Sequence, residues 1–135
     1  MDQGPLVTER VDAGNRFLAE YQNCFPLKAA FWLKDCEDGE WNLFVASDQI
    51  TDDNFDLAYG EVVRITGILQ DPWFDLFQVK VIGVDEPLTK AVLEIQQRYP
   101  GRTPTRYHGK SMGGVTVDEV YIYPTPLAAT AVVGP

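Results

Sequence analysis

Between residues 53 and 69 the apolar side chains Phe55, Ala58, Val62, Ile65 and Leu69 recur at alternating steps of three and four. That spacing places them on one face of a helix turned toward a core. Asp52, Asp53 and Asp56 crowd its start, where the helix dipole favours negative charge. Gly60 and Gly67 weaken it, each by about 1 kcal/mol relative to alanine. A second helical pattern runs from residue 8 to residue 24. Thr8 is its cap, Val11, Gly14, Leu18, Tyr21 and Phe25 share one side, and Pro26 stops it because proline offers no N–H. A third begins near Glu86-Pro87, carries Leu88, Ala91, Val92, Ile95 and Tyr99 as its stripe, and ends at Pro100-Gly101.

The remaining patterned stretches read as strands. "LKAAFWLK" and "WNLFVAS" flank "DCEDGE", and a two-residue Asp38-Gly39 turn would join them as a hairpin with Leu33 opposite Phe44 and Trp32 opposite Val45. Both faces of that hairpin are then apolar, which predicts either a sheet covered on both sides or one face reserved for a partner. "DPWFD" is a turn leading into a strand, "FDLFQVKVIGV", over residues 74–84. There Phe77, Val79 and Val81 point one way and Gln78, Lys80 and Ile82 the other. Two more strands are expected near 103–108 and 115–123, joined by "GKSMGG". The order α-β-β-α-β-α-β-β, without repeat or internal linker, predicts one α+β domain over residues 1–124 with a largely antiparallel sheet. The unpatterned tail "PTPLAATAVVGP" predicts a flexible segment over 125–135.

At 135 residues the chain is long enough to bury a core without disulfide or metal. No apolar run reaches the roughly 18 residues of a membrane span, and "MDQGPLVTER" lacks the form of a secretory signal. Cys24 and Cys36 are too few for a zinc motif and read as free thiols. Together these predict a cytoplasmic protein with no membrane partner. The net charge of −9 repels phosphate backbones and argues against general nucleic-acid binding. It is unevenly spread. Residues 95–117 hold no acid, while Arg98, Arg102, Arg106 and Lys110 supply +4, which leaves −13 on the rest of the −9 chain. With Tyr99 and Tyr107 interleaved, this segment is a candidate surface for a protein or anionic partner. The aromatic residues are core by default, and Trp32 and Trp73 are also candidate interface anchors.

Candidate chemistry is sparse. Gln78-Val79-Lys80 falls where nucleases of the PD-(D/E)xK type carry an acid and a lysine. There carboxylates hold Mg²⁺ and the lysine activates water or steadies phosphate charge. Lys80 would be that lysine, Gln78 would stand for the acid, and Asp48, Asp71 or Asp75, with Glu20 from the first helix, would ligate the metal. Against this, a neutral glutamine binds Mg²⁺ poorly, two of the aspartates sit in the upstream turn, and the net charge disfavours a DNA enzyme. The ordinary alternative is a strand with one wet face. "HGKSMGG" lacks the first glycine of a phosphate-binding loop and precedes a strand. His108 is the single histidine, with no nucleophile elbow to serve. No cofactor motif occurs.

The blocks "AAFWLKDCEDGEWNLFVAS", "FDLAYGEV", "FQVKVIG", "IQQRYPGR" and "VDEVYIYP" together resemble a group of short single-domain bacterial proteins over roughly residues 11–124. The resemblance implies a bacterial stand-alone domain and carries no activity, and so no functional residues. The expectation is a small non-enzymatic interaction or regulatory domain that binds another macromolecule. Its surfaces would be the 98–110 segment (Arg98, Arg102, Arg106, Tyr107 and Lys110) and the outer face of the 27–47 hairpin with Trp32. The alternatives are the metal-dependent nuclease and an acidic mimic of nucleic acid.

Overall fold

The computed structural model describes residues 8–35, 39–98, 105–107 and 117–124. Its elements follow the order expected: α1 (Thr8–Tyr21), β1 (Ala29–Asp35), β2 (Trp41–Ser47), α2 (Phe55–Leu69), β3 (Val79–Gly83), α3 (Pro87–Arg98), β4 (Thr105–Tyr107) and β5 (Val117–Ile122), with a 3-10 turn at Leu76–Gln78. The five strands form one sheet in the order β3-β2-β1-β5-β4. β1 pairs antiparallel with β2 and β5, β4 pairs antiparallel with β5, and β2 pairs in parallel with β3. A parallel pair needs a crossover, and α2 supplies it. The chain is a single α+β domain with a largely antiparallel sheet. Among the described residues no helix is long and apolar enough to cross a membrane.

Helices lie on both faces. On one, Val11, Phe17, Leu18 and Tyr21 of α1 join Ala58, Val62 and Ile65 of α2 over Trp32, Leu43, Val45, Val79 and Tyr123. On the other, Leu88, Val92 and Ile95 of α3 cover Ala29, Phe31, Leu33, Ala46, Val120 and Ile122. The two apolar faces of the β1–β2 hairpin therefore belong to two cores: the face bearing Trp32, expected to receive a partner, lies under α1 and α2, and the opposite face lies under α3. α1 ends at Tyr21 rather than at residue 24, and Asn23 and Cys24 tighten into i→i−3 bonds ahead of Pro26.

Two departures shape the working end of the domain. The hairpin register pairs Phe31 with Phe44 and Leu33 with Asn42, two residues away from that of a two-residue turn. Phe31 and Phe44 stack with ring centroids 5.2 Å apart, and such cross-strand pairs stabilise a register. Because the shift is even, every side chain keeps its expected face. Asp38 lies outside the described residues; Gly39 has the positive φ, 66°, expected of its turn. The second departure is at residues 74–78, which are not strand. Asp75 Oδ1 accepts from Phe77 N at 2.9 Å, and Gln78 N donates to Asp75 O at 2.9 Å. This local bonding outcompetes extension, as short polar side chains do.

β3 is an edge strand with part of its outward backbone already occupied. Val79 N donates to Leu76 O, Val81 N donates to Tyr59 Oη at 3.0 Å, and Gly83 O accepts from Thr89 Oγ1 at 2.9 Å. Two outward donors of that edge are thereby taken, which disfavours strand addition there.

Candidate functional site

The segment "DPWFDLFQ", residues 71–78, repeats one device twice. Asp71 Oδ1 accepts from Trp73 N at 3.0 Å, and Asp75 Oδ1 accepts from Phe77 N at 2.9 Å. Each aspartate also closes a backbone turn through its carbonyl, to Phe74 N at 3.1 Å and Gln78 N at 2.9 Å. Aspartate at the first position of a turn bonds its own backbone two residues on, so each pair orients the aromatic residue that follows. The result is alternation. Phe74 turns inward, stacked on Phe17 at 4.9 Å and edge-on to Trp32 at 6.1 Å. Trp73 and Phe77 turn outward, 45% and 77% exposed. Arg16 anchors the first turn from α1, donating from Nε to Asp71 Oδ2 at 3.0 Å and from Nη2 to the same oxygen. The Arg16 guanidinium holds the Asp71 carboxyl below the usual carboxylate range.

Beside this segment opens a cleft of about 580 Å³. Lys80, Gln78 and Asp75 meet there, together with Arg10 and Glu40. Trp73 and Phe77 line it as well, and Trp41 borders it as a fully buried residue. Gln78 is spent structurally, donating from Nε2 to Trp41 O at 3.1 Å. The Lys80 ammonium, paired across the strands with Phe44, has no hydrogen-bond or ion-pair partner among the described residues. Burial lowers the pKa of Arg10, a sign of a guanidinium partly withdrawn from water.

The other expected nuclease residues are not gathered here. Asp71 is turned to Arg16, and Asp48 lies past the far end of β2, 3.8 Å from Lys28 Nζ. Among the described residues no group of three or more histidine, cysteine or acidic side chains is arranged to hold a metal ion. Cys24 is a free, exposed thiol whose Sγ donates to Glu61 Oε1 at 3.1 Å. That bond, with burial second, pushes the thiol pKa up and makes it a poor nucleophile at neutral pH. Cys36, His108 and the 109–114 loop lie outside the described residues.

The expected binding residues scatter as well. Trp32 is a correction: it is fully buried, and its Nε1 donates to Tyr123 Oη at 2.9 Å, so it anchors the core and no partner. Arg98 is exposed at the end of α3 and pairs with Glu94 at 2.8 Å. Arg106 and Tyr107 stand on the outer strand β4, opposite Tyr121 and Val120. Arg102 and Lys110 lie outside the described residues. The feature that sequence reading passed over is the second aromatic, Phe77, which alternation had assigned to a strand. Its signal is the repeated Asp-x-aromatic spacing at 71–73 and 75–77.

Two further surfaces stand out. Leu57, Val63 and Ile68 of α2 are 69%, 54% and 68% exposed on its outward sides. A second cavity of about 490 Å³ lies at the carboxyl ends of β2 and β3, lined by Phe55, Asp52, Asp85 and Glu86. No protein-family model matches the chain, and neither does any curated protein or solved structure.

Proposed function

We propose that this chain is a small non-enzymatic binding module whose working surface is the segment from Asp71 to Lys80 with the cleft beside it. The observation that carries the reading is the pair of exposed aromatics, Trp73 and Phe77, each held by an aspartate two residues earlier. Exposed aromatic side chains lose apolar hydration when covered, and binding-energy hot spots are enriched in tryptophan. Fixing their backbone in advance removes part of the ordering cost of association. The same surface offers a cation, Lys80, and lies against a sheet edge whose Val79 and Val81 N–H donors are already taken, which favours recognition through side chains. A bacterial, cytoplasmic setting accompanies this reading, supported by the blockwise resemblance and by the free thiol of Cys24.

The test is affinity capture from the native cell with the wild type and a Trp73→Ala/Phe77→Ala variant side by side. A partner retained by the first and lost by the second is expected, at an unchanged urea midpoint. Equal retention would place recognition elsewhere. Mg²⁺-dependent cleavage of DNA that disappears in Lys80→Ala would replace this reading with the nuclease.

A further inference from the structure

Resting on that reading, we infer that the cleft takes one specific chemical group: a ring joined to a single carboxylate, with the ring against Trp73 and Phe77 and the carboxylate on Lys80. Four observations converge on it.

The first is charge. Lys80 and Arg10 line the cleft, and the Lys80 ammonium makes no bond to an acid among the described residues. Of the two carboxylates in the same cleft, Asp75 directs Oδ1 to the Phe77 N–H, and Glu40 is exposed at the end of the hairpin. The cation thus stands ready for an external anion, and a charge-assisted bond to a carboxylate is stronger than a neutral one.

The second is the aromatic rim. Trp73 and Phe77 are exposed and line the cleft, and aromatic pairs gain attraction beyond the area they bury. The third is size. A cleft of about 580 Å³ falls within the usual range for small-molecule sites, and it accommodates a ring and its substituent rather than a folded surface. The fourth is the net charge of −9, whose repulsion of a ligand grows with the ligand's own charge. A polyanion such as an oligonucleotide meets that repulsion many times over; a single carboxylate meets it once and is compensated by Lys80.

The group has two sources, a free aryl acid or the carboxyl-terminal aromatic residue of a partner chain. Amide-resolved NMR titration of the full chain separates them. The probes are phenylacetate, phenylacetamide, and a short peptide ending in phenylalanine as either free acid or amide. Both acids should move the Trp73 indole N–H and the Phe77 and Gln78 amides, and each should bind at least tenfold more tightly than its own amide. Lys80→Gln should erase that difference and leave the weak ring contact. Tighter binding of phenylacetate than of the peptide acid points to a free acid, and the reverse order to a chain terminus. Equal binding of acids and amides overturns the inference while leaving the aromatic surface as a binding site. So do acid-induced shifts away from the cleft. An acid preference that persists in Lys80→Gln also overturns the inference. The module reading itself fails separately, if the Trp73→Ala/Phe77→Ala variant still captures the cellular partner.

Discussion

Replacing Gly14 by alanine sets helix propensity against core packing at one position. Alanine is favoured over glycine inside a helix by about 1 kcal/mol. A methyl group at Gly14, however, would overlap Tyr123 Oη and lie 3.0 Å from Trp32 Nε1 and 3.4 Å from Trp32 Cζ2. The phenol has nowhere to go. It is buried, donates to Val11 O at 2.7 Å and accepts from Trp32 Nε1 at 2.9 Å. Overpacking a tight core costs about 1–3 kcal/mol, and displacing the phenol strands buried partners at a similar cost. Less the propensity gain, the net loss is about 3 kcal/mol. At Gly60 and Gly67 the same substitution meets nothing within 4 Å. Only propensity acts there, and each should gain about 0.5–1 kcal/mol. Urea unfolding followed by far-ultraviolet circular dichroism reads all three. With a slope of about 1–3 kcal/mol per molar, Gly14→Ala should lower the midpoint by roughly 1–3 M, and the other two should raise it by a few tenths. A Gly14→Ala midpoint at or above the wild type refutes the close approach of α1 to the sheet. A loss at Gly60 or Gly67 would mean that the outer face of α2 is covered in solution.

Of the three tryptophans, Trp32 and Trp41 are fully buried and Trp73 is 45% exposed, so iodide should quench one component of the emission, and Trp73→Phe should remove it. Quenching that persists in the variant would contradict the outward turn. Burial pushes the phenols of Tyr21 and Tyr123 far above their ordinary value. The unfolded chain therefore ionises first, so their contribution to stability is complete below about pH 10 and falls as pH rises beyond it. In a spectrophotometric titration at high pH, Tyr21 and Tyr123 should ionise only with unfolding; all six tyrosines ionising while the circular dichroism stays native would refute this. Asp71→Asn should cost up to about 1 kcal/mol at neutral pH, since Arg16 is half exposed and the pair is screened. Arg16 depresses the Asp71 carboxyl, so its stabilisation is present above about pH 4 and disappears as pH falls through the lowered value. The gap between wild type and variant should close in acid, and a gap that persists there refutes the pairing.

The candidate site was legible only in pieces. Lys80, Gln78 and Asp75 were marked from their order along the chain, and they do share a cleft. Asp71 and Asp48 were marked on the same grounds and bond elsewhere, to Arg16 and Lys28. Carboxylates attract whichever cation the fold brings near, and that partner is unreadable from spacing. Trp73 and Trp32 were both marked as interface candidates, yet one is exposed while the other is buried. Trp32 lies between Phe31 and Leu33 on a central strand, and Tyr123, 91 positions away, satisfies its N–H inside the core.

Local pattern by itself determined the element order, the stripe of α2 and the bounds of β2, because helical and extended periodicities are properties of neighbouring residues. Alternation also placed each hairpin side chain on its face. It left open what covers either face, and the packing of α1 and α2 on one side and of α3 on the other decided that no partner surface remains there. Residues 77, 79 and 81 look like one uninterrupted strand face in the sequence, but Asp75 captures the Phe77 N–H and turns that ring to solvent. Tertiary contacts settled these matters for one physical reason. A side chain's periodicity is fixed by its immediate neighbours, whereas its burial is fixed by whatever distant segment arrives to cover it.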